Sequence, residues 1–91
     1  MTFEHMKDLA CKHFKVSKSQ LDGKCRKAEI VYARIALAKI LRNQGYKFVE
    51  IASMLNVNHS SVIHYINTFD DRVKYDVIFA NTFKDFSKEC Q

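Results

Sequence analysis

The chain has 91 residues, 47% of them hydrophobic and 27% charged, and its formal net charge is +5. That length suits a single domain, residues 1–91, with its own core, and no apolar run approaches the roughly 20 residues of a membrane span. The acidic, helix-spaced N-terminus is unlike a secretory signal peptide, so we expect a cytoplasmic protein with no membrane partner.

The absence of proline and the presence of only two glycines predict an all-α chain, a compact bundle of about five to six helices. The first helix is expected between Phe3 and Phe14, where apolar residues recur at helical spacing after a favourable N-cap at Thr2. Ser17 and Gln20 have the spacing of a capping box, which predicts a short second helix.

Positive charge is concentrated in the first half of the chain. Residues 1–47 hold eleven Lys and Arg against four Asp and Glu, a net +7, whereas residues 48–91 hold four against six, a net −2. Within 12–27 only Asp22 opposes six basic residues: Lys12, Lys15, Lys18, Lys24, Arg26 and Lys27. Such a patch attracts phosphates or acidic surfaces, although solvated lysines also keep small proteins soluble.

Four more helices are predicted after the basic segment. The longest runs from about Ala28 to Gln44, is apolar over a wide face and is therefore central to the core, with Gly45 as its left-handed C′ residue. A short helix over 48–55 is expected to point four residues inward: Val49, Ile51, Ala52 and Leu55. The next, from Asn58 to about Arg72, carries a stripe of Val62, Ile66, Phe69 and Val73. Asp76 opens a last helix that carries Val77, Phe79, Ala80, Phe83 and Phe86. Its aromatic residues could pack on a partner, but the helical spacing of Phe79, Phe83 and Phe86 favours packing within the chain.

The two helices within 48–66 have the features of a helix-turn-helix. Ala52 is small where the helices must approach, and Asn56 suits the left-handed turn between them. Val57 and Val62 are expected to fill the angle between the two helices. Because a recognition helix enters the major groove of DNA by its N-terminal turn, this pair predicts a DNA-binding protein.

The first turn of the second helix would present His59, Ser60 and Ser61 outward. Short hydroxyl and imidazole groups there can read base edges, and the positive end of the helix favours phosphate. In the alternative interpretation these residues only cap the helix, with the Asn58 side-chain oxygen accepting from the N–H of Ser60 or Ser61. Spacing alone does not separate the two interpretations.

No catalytic or metal-binding constellation stands out. The three cysteines form no CxxC pair, and Cys11, His13 and Cys25 lack a fourth zinc ligand. Asp70 and Asp71 are adjacent on a helix and cannot share a face. We therefore expect reduced thiols, no metal, no cofactor and no enzymatic activity.

The stretches VSKSQLDGKCRKAEIVYARIALAKIL and FVEIASMLNVNHSSVIHYI resemble the C-terminal DNA-binding domain of the bacterial replication initiator DnaA. HSSVIH and the basic stretch are the most specific parts, and the resemblance covers nearly the whole chain. It implies a Trp-repressor-like helix-turn-helix domain that binds double-stranded DNA. It also implies base reading by the residues at the family's DHTT positions, which are Asn58, His59, Ser60 and Ser61.

The resemblance further implies contacts to the DNA backbone and to the adjacent minor groove. Arg26, with Lys24 and Lys27, matches a basic loop that reaches the minor groove. Arg34 matches an arginine that touches phosphate. Three more residues lie where the first helix of the pair would meet the backbone: Tyr46, Lys47 and Phe48.

This sequence departs from the family pattern in ways that predict a different DNA site. The turn Asn56-Val57-Asn58 is one residue shorter and lacks an arginine, Asn58 replaces an aspartate, and Ile35 replaces a glutamine. No GxxxxGK[ST] phosphate loop is present, so the initiator's ATPase module is missing. The chain is therefore a stand-alone protein or a fragment, and Met1 followed by a helix cap favours the former.

The leading prediction is sequence-specific binding of double-stranded DNA in replication control or transcription regulation, by a nucleoid-associated protein. We expect a monomer in isolation that can pair on DNA. The alternative is a protein-interaction module that docks a replication protein, such as the host initiator, through its basic face.

Overall fold

A computed structural model describes residues 2–23 and 27–90 of the chain. The expected minor-groove residues Lys24 and Arg26, and also Cys25, lie outside the described residues. The described part contains six α-helices and no strand, which confirms the expected all-α bundle. The helices are α1 Phe3–Phe14, α2 Lys18–Asp22, α3 Ala28–Asn43, α4 Phe48–Leu55, α5 His59–Tyr75 and α6 Val77–Glu89.

Side-chain caps fix where three of the helices begin. The hydroxyl of Thr2 accepts a hydrogen bond from a backbone N–H in the first turn of α1. Ser17 and Gln20 form the predicted capping box of α2, each side chain accepting from the other residue's backbone N–H at 3.1 Å. The carboxylate of Asp76 caps α6. These contacts satisfy backbone donors that a helix leaves without partners in its first turn.

Left-handed residues fix where helices end. Asn56 ends α4 with φ 57° and ψ 46°, and Gly45 follows α3 with φ 95°, both as the sequence predicts. α5 continues to Tyr75, beyond the predicted end at Arg72, because residues 59–75 contain no glycine or proline to stop it. The chain turns only at Asp76, whose extended backbone opens the next helix.

α3 lies at the centre of the bundle and packs against all the other helices. Its residues 33–38 are all buried, which confirms the predicted core helix. The helices around it contribute one apolar face each, with these buried side chains among them: Met6, Ala10, Phe14, Leu21, Ile51, Leu55, Val62, Phe69, Phe79 and Phe86. Each fully buried aliphatic or aromatic side chain stabilises the fold by about 1.5–3 kcal/mol.

The C-terminal helix is held by aromatic packing. Phe86 is fully buried, and its ring lies 6.0 Å from that of Phe14 between centroids. Phe83 lies 4.6 Å from Phe69 in an edge-on arrangement, and Phe79 contacts both Phe14 and Phe69. The expectation that the aromatic tail packs within the chain is confirmed.

One expectation about apolar faces was wrong, and another was only partly correct. Val49 is 61% exposed, because the inward face of α4 follows Phe48 at positions 48, 51, 52 and 55, and Val49 is rotated away from it. In α5, Val62 and Phe69 are buried as expected, whereas Ile66 and Val73 are only half-buried against the core and Tyr65 is buried as well. In α6, Phe79 and Phe86 face inward and Val77 is 70% exposed.

Within residues 2–23 and 27–90, none of the helices combines the length and the apolar character needed to cross a membrane.

Candidate nucleic-acid interface

α4 and α5 form the predicted helix-turn-helix. The backbone N–H of Val57 donates to the Ala52 carbonyl at 3.0 Å, which closes the turn after the left-handed Asn56. Ala52 and Val62 are buried and Val57 is half-buried, so the small and branched side chains occupy the predicted angle. The N-terminus of α5 therefore projects from a well-packed corner.

Asn58 is the N-cap residue of α5, but its side chain does not cap the helix. Its backbone carbonyl accepts from the N–H groups of Ser61 at 3.0 Å and Val62 at 3.3 Å, and its side chain makes no capping hydrogen bond. The expectation that the side-chain oxygen accepts from Ser60 or Ser61 was wrong. The exposed side-chain amide of Asn58 therefore makes no hydrogen bond to the N-terminus of α5.

The first turn of α5 is exposed and touches the first residue of α4. Asn58, His59 and Ser60 are exposed and Ser61 is half-buried. The imidazole of His59 lies 6.0 Å from the Phe48 ring between centroids, with an angle of 73° between the planes. This edge-on contact restricts the imidazole, because moving it would break an aromatic pair. The structure thus joins one expected base reader to one expected backbone contact.

Arg42 completes this surface, and the sequence reading missed it. Its guanidinium lies 4.5 Å over the Phe48 ring, and its Nη1 donates to the Tyr46 carbonyl at 2.9 Å. Lys47 is exposed beside it, with its backbone N–H bonded to the Glu50 carboxylate at 2.9 Å. The only signal in the sequence was a basic residue in the last turn of α3, which is common at helix ends.

The remaining basic residues divide between surface and interior. Lys27, the N-cap of α3, is exposed. Arg34 is only 4% exposed, and its guanidinium donates to backbone carbonyls at the end of α2. The structure therefore does not bring Arg34 to the same surface as Lys47 and Phe48.

Part of the basic patch is neutralised by pairing within the chain. Lys18 lies 2.8 Å from Asp8, and the hydrogen bonds to Asp8 and Glu4 raise the pKa of the Lys18 ammonium. Lys12 lies 3.6 Å from Glu89, whose pKa is lowered chiefly by the hydrogen bond to His13. The positive surface is thus narrower than the count of basic residues in the sequence indicates.

The described residues contain no group of three or more His, Cys, Asp and Glu side chains that could hold a metal ion. Burial raises the pKa of the Cys11 and Cys90 thiols, and the nearby Asp8 raises that of Cys11 further. Since the thiolate is the reactive form, neither thiol is activated as a nucleophile at neutral pH.

Comparison with known proteins places this corner in a family. Residues 3–68 match the family described as the bacterial dnaA protein helix-turn-helix. The chromosomal replication initiator protein DnaA of Thermomicrobium roseum is 32% identical over 78 residues, which are 84% of this chain and 17% of that protein. The corresponding protein of Leptospira biflexa serovar Patoc is 30% identical over 77 residues, 84% of this chain and 18% of its own length.

The chain thus spans less than a fifth of the length of these relatives. No solved structure matches it significantly. The matched region runs from α1 into α5 and includes the whole helix-turn-helix corner. The chain belongs to the family of bacterial DnaA helix-turn-helix domains.

Proposed function

We propose that this chain binds double-stranded DNA sequence-specifically and acts in replication control, with the first turn of α5 in the major groove. The observation that carries the proposal is the exposed Asn58 amide, which the helix end does not use, beside exposed His59 and Ser60. A replication role is favoured over transcription regulation because the relatives are named as chromosomal replication initiators.

Base reading falls to Asn58, His59, Ser60 and Ser61. An asparagine amide can donate and accept at once, which matches the N7 acceptor and N6 donor of adenine in the major groove. The imidazole of His59, restricted by the Phe48 ring, offers a hydrogen bond or packs beside a thymine methyl. The serines are short enough for α5 to approach the base edges closely.

The surface around the start of α4 would contact the DNA backbone. Lys47 supplies a charge for phosphate, Tyr46 and Phe48 pack beside it, and Arg42 holds the Phe48 ring in place. Lys27, with Lys24 and Arg26, would reach the adjacent minor groove. Narrow, A·T-rich minor grooves attract such side chains by their negative potential.

The proposal is tested by selecting the purified chain against a random duplex library at about 150 mM salt, which suppresses purely electrostatic binding. Asn58→Ala is expected to relax the selected motif at one base pair, a loss of roughly 1–3 kcal/mol of discrimination. Asn67→Ala, an exposed asparagine later on the same helix, is the matched control and should leave the motif intact.

Two results would contradict the proposal. One is the absence of an enriched motif, together with binding that disappears as salt rises, which would leave a basic surface able to dock an acidic protein. The other is an identical motif for Asn58→Ala and the unmodified chain, which would remove Asn58 from base reading.

A further inference from the structure

The C-terminal end of α2 is held by side chains from two other helices. α2 has only five residues, so its last carbonyl groups have no partners within the helix. The guanidinium of Arg34 on α3 donates to three backbone carbonyls at this end: those of Leu21 at 3.2 Å, Gln20 at 3.3 Å, and Gly23. Lys7 of α1 places its ammonium 2.6 Å from a carboxylate oxygen of Asp22.

Both cations are almost entirely removed from solvent. Arg34 is 4% exposed and Lys7 is 7% exposed. A buried cation is tolerated where hydrogen bonds and an opposite charge replace its hydration. The end of a helix is also negatively polarised, which adds to the attraction. Neither charge can therefore leave the α2 end for solvent without losing these contacts.

The same point of the chain is connected to the helix-turn-helix. The side-chain amide of Asn56, in the turn between α4 and α5, donates to the Asp22 carbonyl at 3.4 Å. Asp22 and Gly23 directly precede the basic segment 24–27. Asp22 and Gly23, the last described residues before this segment, are thus attached to α1, to α3 and to the turn that sets the direction of α5.

We infer that Arg34 and Lys7 are positioning residues for DNA recognition. They fix the position of Asp22 and Gly23, which directly precede the basic segment, relative to the first turn of α5, and they do not themselves contact phosphate. The inference rests on the proposed function, in which those two elements read adjacent grooves of one duplex. Two readers bind one duplex together more tightly when their spacing is set in advance, because a preorganised surface loses less conformational freedom on binding.

This role differs from the one that the family resemblance implies for Arg34. A phosphate-contacting arginine releases counterions when it binds, and it contributes about 0.9 to the slope of log affinity against log salt. A positioning arginine contributes nothing to that slope. The two roles can therefore be separated by measurement.

The experiment compares Arg34→Lys, Lys7→Met and the unmodified chain on the selected duplex across about 50–300 mM salt, with motif selection repeated for each variant. Both variants are expected to lose affinity roughly tenfold with an unchanged salt slope. The preference at the base pairs flanking the site, on the minor-groove side, should relax, while the base pairs read by 58–61 keep theirs.

Lys12→Met is the matched control for Lys7→Met, since it removes the same charge from the same helix at a side chain that pairs with Glu89 on α6. It should change neither the flanking preference nor the affinity. Arg34→Met removes the charge and serves for the salt slope, at a temperature where it is folded. Arg34→Lys keeps the charge and part of the donor set, so it serves for motif selection, and circular dichroism must show it folded at the assay temperature. Where it is not folded, Asn56→Asp tests the same connection, because aspartate tolerates the left-handed turn and cannot donate to Asp22.

Two outcomes would overturn the inference. A salt slope reduced by about 0.9 in Lys7→Met, or in Arg34→Met at a temperature where it is folded, would reveal a direct phosphate contact, because these two changes remove a charge that Arg34→Lys keeps. Unchanged affinity and an unchanged motif in folded variants would show that the contacts of Arg34 and Lys7 stabilise the fold without positioning the DNA-binding elements. Failure of the proposed function is distinguishable from both, because the unmodified chain would then select no motif.

Discussion

Arg34→Met should destabilise the fold far more than a surface arginine would. The guanidinium is 4% exposed and bonded to carbonyls at the end of α2, and methionine fills a similar volume without donating. Hydrogen bonds from a charged donor contribute about 1.5–3 kcal/mol each, and a buried carbonyl left without a partner, as Leu21 would be, costs about 1–3 kcal/mol, whereas the part-buried carbonyls of Gln20 and Gly23 cost less. Since such values are not additive, we expect a total loss of about 3 kcal/mol.

The assay is equilibrium urea unfolding followed by far-ultraviolet circular dichroism, together with a thermal melt. A loss of that size lowers the Tm of a domain of this length by roughly 12–24 °C. Arg42→Met provides the control, because Arg42 lies on the same helix but is exposed, with its guanidinium on the Phe48 ring and the Tyr46 carbonyl. We expect it to cost about 1 kcal/mol or less.

Equal losses for Arg34→Met and Arg42→Met would refute the reasoning. Such a result would mean that the buried guanidinium gains no more from its carbonyl partners than it loses on leaving water.

Three further predictions concern other parts of the fold. Asn56→Gly should keep the free energy of unfolding within about 1 kcal/mol, whereas Asn56→Val should lower it by about 2 kcal/mol, since the left-handed backbone suits glycine and not a branched side chain; urea unfolding decides this. Phe86→Ala should cost about 3–5 kcal/mol in the same assay by opening a cavity between α1 and α6, and a loss below about 1 kcal/mol would contradict the packing. The Glu89 carboxyl has a pKa below its ordinary 4.5, so the stability that it contributes is present above that pH and is lost as pH falls through the lowered pKa. Glu89→Gln should weaken the fall in the free energy of unfolding as the pH is lowered. An unchanged pH dependence would show that Glu89 does not contribute to it.

Most helix boundaries could be predicted because their causes are local. The Thr2 and Asp76 caps, the Ser17–Gln20 capping box and the left-handed Asn56 each depend on residues within one turn of the chain. The central position of α3 also followed from its own composition, since a helix apolar over a wide face must be surrounded by other helices.

The burial and the partners of individual polar side chains could not be predicted, because they depend on contacts between elements distant in the chain. Lys7 and Arg34 are buried only because α2 ends between α1 and α3, a juxtaposition that no local pattern encodes. A cue for Arg34 existed in its position within the apolar run 33–38, which is buried throughout. Charge and family resemblance together had favoured an outward role for it.

The Asn58 side chain illustrates the same limit at shorter range. Its residue type and position are typical of a side-chain cap, yet only its backbone carbonyl serves the helix. Local preference therefore identified the N-cap residue of α5 correctly and misassigned its side-chain amide, the group that we propose for base reading.

α5 extends through most of the length of the molecule. Its 17 residues extend about 25 Å at 1.5 Å per residue, nearly the 29 Å length of the whole protein. Tyr75, 76% exposed at the far end, therefore lies on the side opposite Asn58 and His59. A fluorophore attached at position 75 would report the slower tumbling of a DNA complex without entering the groove that we propose for the first turn of α5.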